Sequence, residues 1–248
     1  MLTKCPPYKL YKYGNRYLRK IVYNPPLWNP AVVLKTTVEA QKLFSLIKEK
    51  NFSLNACLVK ALAIALTRHP RLNYLPLWGD MIWAGDHTKV GVVREEQPLE
   101  DVFQFFVMDA ETKSLAQIKQ EFQQAKDPSG DNASLMKAMD RFPNLFYQVG
   151  KRTGLFAKSL ASVSCPIMLT NLNVPGVDEM ISAGVPHAML VCIGLLNDKK
   201  LPISLSFNHQ LANARAVAVY LAEVKAILEN TLQLVMDKEA SSVGEIQK

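Results

Sequence analysis

Strand-like and helix-like hydrophobic patterns are mixed along this chain, and the strand-like segments come in groups. Alternating or β-branched apolar runs predict strands, which are Val32–Thr37 and the segments "GDMIWAG", "TKVGVVRE", "DVFQFFVM", "SVSCPIMLTNL", "HAMLVCIGLL" and "LPISLSF". Gly79 and Asp80 predict a turn between two of them. Because strands do not alternate strictly with helices, the pattern favours a mixed sheet over a dinucleotide-binding fold.

Helical periodicity is found in several segments. The first predicted helix follows the first strand directly, and its apolar face is formed by Val38, Leu43, Leu46 and Ile47. The next, "FSLNACLVKALAIALTRHPRLN", is apolar nearly all round and predicts a buried helix that Ser53 caps and Pro70 ends. The segment "AETKSLAQIKQEFQQAK" predicts an amphipathic helix, and a last long helix is expected from about Ala212 to Val235.

The domain prediction is one α/β domain, an α+β two-layer sandwich with helices packed on a mixed sheet. We expect an N-terminal arm over 1–29, the main domain over 30–236 and a polar tail over 237–248. The basic and aromatic region 127–162 is expected as a helical insertion. It is open to two interpretations, a helical pair that covers the core or a lid that contacts a lipid or acyl chain.

Composition and charge exclude some classes of function. The 248 residues carry a formal net charge of +7, which favours anionic partners, but the charges are scattered and no nucleic-acid-binding motif occurs. No apolar run approaches a membrane span or a signal peptide, so we expect a cytoplasmic protein. The cysteines, which are Cys5, Cys57, Cys165 and Cys192, are far apart and predict no disulfide. The usual nucleotide-binding motifs are missing.

The most informative polar residues lie where the last strand gives way to the last helix. In "SLSFNHQLANA" the alternation of a half-buried strand ends at His209, and Asn213 follows four residues later. A histidine at such a junction can act as a general base. The alternative is that His209 caps the helix or bonds the backbone.

This segment resembles the C-terminal signature of the chloramphenicol acetyltransferase-like superfamily. It is most similar to the catalytic domain of the acyltransferases of 2-oxo acid dehydrogenase complexes, whose signature is DHR, two residues, then DG or NG. Other blocks follow in the same order: "SLNACLVKALAIALTRHPRLN" is similar to "SLNDFVVKAVALALKEHPELN", and "LTNLNVPGVDE" to "ISNLGMFGVDS". The resemblance covers most of residues 30–230.

The sequence departs from that signature around the histidine. Asn208 replaces Asp, Gln210 replaces Arg and Ala214 replaces Gly, while Asn213 stands where some members also carry Asn. The resemblance therefore leaves two possibilities. One is an active enzyme. The other is a degenerate member that binds or scaffolds a partner, or that uses the buried substrate tunnel implied by the resemblance for another reaction such as cyclisation. No lipoyl segment precedes the domain in the given chain, so we expect a stand-alone enzyme.

The resemblance implies a mechanism and an assembly. His209 would be the general base toward the acceptor nucleophile or thiol, and Thr170 would donate a hydrogen bond to the oxyanion; otherwise Thr170 is an ordinary strand residue. Asn213 would fix the turn after His209. The implied donor is coenzyme A or a carrier-protein thioester, the acceptor a small molecule, and the assembly a homotrimer with the site between subunits. No metal is implied.

Overall fold

A computed structural model describes ten stretches of the chain. They are residues 10–11, 31–77, 80–83, 87–95, 102–125, 165–171, 176–181, 188–195, 199–209 and 212–231. The described strands are β1 Leu10–Tyr11, β2 Ala31–Glu39, β3 Tyr74–Leu77, β4 Asp80–Trp83, β5 Lys89–Glu95, β6 Val102–Met108, β7 Ile167–Asn171, β8 Met189–Ile193 and β9 Lys200–Asn208. The described α-helices are α1 Gln41–Lys50, α2 Leu54–Arg68, α3 Leu115–Gln124 and α4 Ala214–Ala226.

The main sheet has six strands in the order β2-β9-β8-β7-β5-β6. The β5–β7 and β7–β8 pairs are parallel, and the β2–β9, β8–β9 and β5–β6 pairs are antiparallel. This mixed sheet with helices packed on it confirms the predicted fold class. The parallel strands β5 and β7 are not consecutive, and the parallel strands β7 and β8 are separated by residues 172–188, as expected because a parallel pair needs a long connection.

The helices share one hydrophobic core with one face of the sheet. On β9, Ile203, Leu205 and Phe207 face this core and are almost fully buried. Helix α2 is buried at every position from Ala56 to Ala63, as its apolar sequence predicts. Within the described part of the chain, no helix has both the length and the hydrophobicity that a membrane crossing requires.

A second, three-stranded sheet has the order β1-β4-β3. Its β3–β4 hairpin closes at the pair Leu77–Asp80, so Asp80 belongs to the strand and not to the predicted turn. Leu10 of the predicted N-terminal arm pairs with Ile82 of β4. The arm therefore contributes a short strand to this sheet.

Several predicted helix boundaries were wrong. Val38 lies on β2, opposite Leu201 of β9, and is fully buried there, so the first helix begins only at Gln41. Helix α3 begins at Leu115, later than predicted, because Ser114 and Gln117 form a capping box. The last helix begins at Ala214 and continues as a π-helix over Ile227–Thr231. The predicted insertion over 127–162 lies outside the described residues.

The face of β9 opposite the helices carries two buried serines in different environments. Ser204 Oγ donates a 2.6 Å hydrogen bond to the carbonyl oxygen of Met180. Ser206 Oγ is buried without a hydrogen-bond partner in the described part of the chain. Two residues of the same type on the same strand thus differ in one interaction.

We predict opposite effects on stability for alanine at these two positions. Ser204→Ala should lower the free energy of unfolding by about 1 kcal/mol, because it removes a made hydrogen bond. Ser206→Ala should leave that free energy unchanged or raise it, because it removes an unpaired buried hydroxyl. Urea unfolding of both variants checks this, and equal losses at the two positions would contradict it.

Candidate active site

Thr170 is the fourth of the five residues of β7 and lies near the carboxyl end of that strand. The next-to-last position places its side chain on the face opposite the helix-covered core, since Leu169 belongs to the core. Its register partner on β8 is Cys192, which is itself opposite Ser204 of β9. Thr170 is half-buried, and its hydroxyl has no hydrogen-bond partner among the described residues. A free hydroxyl is what an oxyanion donor requires.

His209 follows the last residue of β9 and begins the turn toward α4. Its side chain is exposed, and its ring centroid lies 6.0 Å from that of Phe207 in a tilted arrangement. In the described part of the chain no hydrogen bond holds the ring. The imidazole is therefore available for proton transfer but has no described carboxylate to orient it.

Asn213 caps helix α4. Its side-chain oxygen accepts a 2.8 Å hydrogen bond from the amide of Ala216. The turn before it is closed by a 3.4 Å hydrogen bond from the Ala212 amide to the Asn208 carbonyl. The capping role thus belongs to Asn213 and not to His209. An amide at this position caps a helix about as well as a carboxylate, so Asn in place of Asp preserves the turn.

Thr170 and His209 lie at opposite ends of the sheet within one chain. Thr170 is level with Ser204, and His209 is five residues further along β9. Five residues of strand span about 17 Å, and the two strand spacings between β7 and β9 add about 10 Å sideways, so the two residues are about 19 Å apart. A single chain therefore does not bring its own candidate base, His209, and candidate oxyanion donor, Thr170, together.

A pair of amide side chains that the sequence analysis did not single out secures the end of β7. Asn171, the residue after Thr170, donates a 2.9 Å hydrogen bond from Nδ2 to Oδ1 of Asn55. Asn55 lies in the first turn of α2. Both amides lie in sequence blocks that carry the family resemblance, "LTNL" and "SLNACL". Their place in those blocks was the sequence signal that could have identified them as site residues.

The described cysteine thiols do not resemble catalytic nucleophiles. Burial raises the pKa of the Cys57 and Cys165 thiols to about 12. Both are therefore protonated, and so weakly nucleophilic, at neutral pH. Among the described residues, no three His, Cys, Asp or Glu side chains cluster in a way that could hold a metal ion.

Comparison with known proteins places this fold. No protein-family model matches the sequence, and no curated protein matches it. Solved structures do match, and all of the following are below 25% identical. A truncated catalytic core of the 2-oxoacid dehydrogenase multienzyme complex from Thermoplasma acidophilum is 16% identical, with 89% of this chain and 98% of that chain covered and a TM-score of 0.58.

Two further structures give the same result. The dihydrolipoamide acetyltransferase of Azotobacter vinelandii is 14% identical over 83% of this chain and 84% of its own, with a TM-score of 0.57. A chloramphenicol acetyltransferase is 13% identical over 81% and 89%, with a TM-score of 0.54. The chain thus has a chloramphenicol acetyltransferase-like fold, which confirms the resemblance at the level of architecture. Within that class, it shares its fold with the catalytic cores of dihydrolipoamide acetyltransferases.

Because Asn213 caps α4 and His209 is exposed, substitutions at these two positions should have different effects on stability. Asn213→Ala should lower the free energy of unfolding by about 1 kcal/mol, because it removes the helix cap. Asn213→Asp should keep that free energy, since a carboxylate caps as well. His209→Ala should change it by less than about 0.5 kcal/mol, as for an exposed side chain. Urea unfolding measures all three, and a large loss in His209→Ala would contradict the assignment.

The thiol pKa values predict slow alkylation of the native protein. A pH of 8 is about four units below the pKa of about 12 of the Cys57 and Cys165 thiols, so little reactive thiolate is present. Iodoacetamide should modify both slowly in the folded protein and rapidly after denaturation. Peptide mass spectrometry follows each cysteine separately. Rapid labelling of either cysteine in the native protein would show that its thiol is not buried.

Proposed function

We propose that this protein is a stand-alone acyltransferase whose active site is formed between two copies of the chain. The acyl donor is a thioester of coenzyme A or of a carrier protein, and the acceptor is a small molecule. The observation that supports this best is the placement of a free imidazole and a free hydroxyl at opposite ends of one sheet in an acyltransferase-like fold. Each copy then supplies half of two different sites.

The proposed reaction uses both groups on one carbonyl. The His209 imidazole takes the proton of the acceptor nucleophile, whose electron pair attacks the thioester carbon. The Thr170 hydroxyl of the neighbouring copy donates a hydrogen bond to the oxyanion that forms. When the oxyanion collapses, the carbon–sulfur bond breaks and the thiolate takes the proton from the imidazolium. The products are the acylated acceptor and the free thiol, and His209 is regenerated.

A parallel supports these roles. The Azotobacter vinelandii enzyme was studied for the role of a serine, a histidine and an asparagine in its catalytic mechanism, the last two lying four residues apart. Asn213 likewise follows His209 by four residues, and Thr170 offers a hydroxyl as serine does. The same three kinds of side chain are therefore present here.

The proposed assembly is a homotrimer. A base and a hydroxyl that lie about 19 Å apart in one chain can meet only across an interface between copies, and we propose that this interface joins two different surfaces head to tail. Repeating such an interface produces a closed ring when the rotation between copies closes. A ring of three, as the family resemblance implies, contains three equivalent sites.

A second candidate function follows from the missing charges. Asn208, Gln210 and Ala214 replace the charged or glycine residues of the signature, and the described residues include no carboxylate that orients His209. A protein that keeps the fold but binds or scaffolds an acyl-carrying partner would show this pattern. Acyl transfer by the wild-type chain, or its absence, distinguishes the two functions.

We predict that each half of the site is essential for transfer. With an acetyl-coenzyme A donor and a panel of amines, alcohols and thiols, His209→Ala should lower turnover by roughly 10²–10⁴-fold. Thr170→Ala should lower it by about 10²-fold or more. Thiol release measures both. Undiminished transfer by a folded His209→Ala protein would remove His209 from the mechanism.

Mixing the two inactive variants tests whether the site is shared. If Thr170→Ala and His209→Ala chains are unfolded and refolded together in equal amounts, about one quarter of the interfaces in random trimers join an intact His209 to an intact Thr170. Activity should therefore return to about one quarter of the wild-type value. Refolding each variant alone is the control. No recovery, or a monomer by light scattering, would contradict a shared site.

A further inference from the structure

An open depression lies directly beside the turn that carries His209. It is shallow, with an enclosed space of only about 10 Å³ and the rest open to solvent, and its lining includes Arg71, Tyr74, Ala188 and Ala212. Ala188 and Ala212 tie it to the turn, since the Asn208 amide bonds the Ala188 carbonyl and the Ala212 amide bonds the Asn208 carbonyl. The depression therefore lies next to the turn that carries His209, although His209 itself is not among its described lining residues.

Arg71 is held on a rigid support. It is the middle residue of the 3₁₀ turn Pro70–Leu72, which directly follows α2 and is closed by backbone hydrogen bonds at both ends. The next two residues, Leu72 and Asn73, are buried, and the Asn73 side chain donates a 3.1 Å hydrogen bond to the His87 carbonyl. A guanidinium carried by such a backbone loses less entropy on binding than one on a mobile loop.

The charge of Arg71 is not neutralised within the described part of the chain. Arg68, one turn earlier, forms an ion pair with Glu223, whereas Arg71 has no described ion pair. The described lining of the depression contains no carboxylate, and Tyr74 adds a phenol group. An exposed arginine beside a concave surface whose described residues include no carboxylate favours a small anion.

We infer that this depression binds a carboxylate carried by one of the two reacting molecules, with Arg71 as its main ligand. The inference rests on the proposed function, because it is the adjacency to His209 that makes the bound molecule a substrate. Coenzyme A phosphates are separated from the thioester by the pantetheine arm, so they do not suit a subsite next to the turn that carries His209. A shallow, open site fits a planar carboxylate and not a long acyl chain.

Binding can be tested without any turnover. Calorimetric titration of the full chain with succinate, at fixed low ionic strength, should show affinity that neutral succinamide lacks. Arg71→Gln should weaken succinate binding by about tenfold or more, the size expected for a lost charge-assisted hydrogen bond. Arg71→Lys should restore part of it, because lysine keeps the charge but not the bidentate geometry.

Arg215→Gln is the matched control. Arg215 is exposed in the first turn of α4, has no described ion pair and does not line the depression. Its removal should leave succinate affinity unchanged. Equal weakening by Arg215→Gln and Arg71→Gln would show general charge attraction and overturn the assignment, as would equal affinity for succinate and succinamide.

Turnover then identifies which molecule carries the carboxylate. If it is the acceptor, Arg71→Gln should impair transfer from acetyl-coenzyme A to carboxylate-bearing acceptors and spare neutral ones. If it is the acyl group, Arg71→Gln should impair transfer from succinyl-coenzyme A and spare acetyl-coenzyme A. Equal transfer to charged and neutral substrates, unaffected by Arg71→Gln, would overturn the subsite and leave the acyltransferase proposal standing. Succinate binding that depends on Arg71, without any acyl transfer, would overturn the acyltransferase proposal and leave the anion-binding site standing.

Discussion

The register of β9 is the constraint on which the rest of the structure depends. This strand pairs over nine residues with β2 and over five with β8, antiparallel on both sides. A slip by one residue would move Leu205 and Phe207 out of the core and bring serines into it, so the register is strongly fixed. The same register decides where the strand ends, and therefore where His209 leaves the sheet. The position of His209, the proposed base, is thus a consequence of core packing along the whole strand.

The turn after β9 shows how a charged scaffold can be replaced by amides without loss of local structure. Asn213 satisfies a backbone amide at the start of α4, which any side-chain oxygen can do. What an amide does not supply is a charge near the imidazole. The cap therefore holds the start of α4, but it supplies no charge to the exposed His209 side chain. Arg71 lines the same depression as Ala212 of this turn.

Local features were readable from the sequence, and relations between distant residues were not. The alternation of Ser204 to Phe207 correctly predicted a strand, and the apolar α2 segment a buried helix. Val38 was wrongly assigned to a helix. It lies on a strand that pairs with Leu201, and this partner is too remote in sequence to give a local signal. The separation of Thr170 from His209 depends on strand order, and the Asn55–Asn171 bond joins residues 116 positions apart. Neither leaves a periodic signal, so only the resemblance pointed to a shared site.

Helix α2 contacts both the end of β7, where Thr170 lies, and the helix that follows His209. Its first turn holds the end of β7 through Asn55, while Tyr220 of α4 donates a 3.1 Å hydrogen bond to the Leu62 carbonyl in its second half. Fifteen residues of helix extend about 22 Å, close to the separation of about 19 Å between Thr170 and His209. One buried helix is therefore about as long as the distance that separates Thr170, the proposed oxyanion donor, from His209, the proposed base. In the proposed ring of identical copies, that fixed distance would set the geometry of every interface at once, so the alignment of the two proposed catalytic groups would be a property of the monomer core as much as of the contact between subunits.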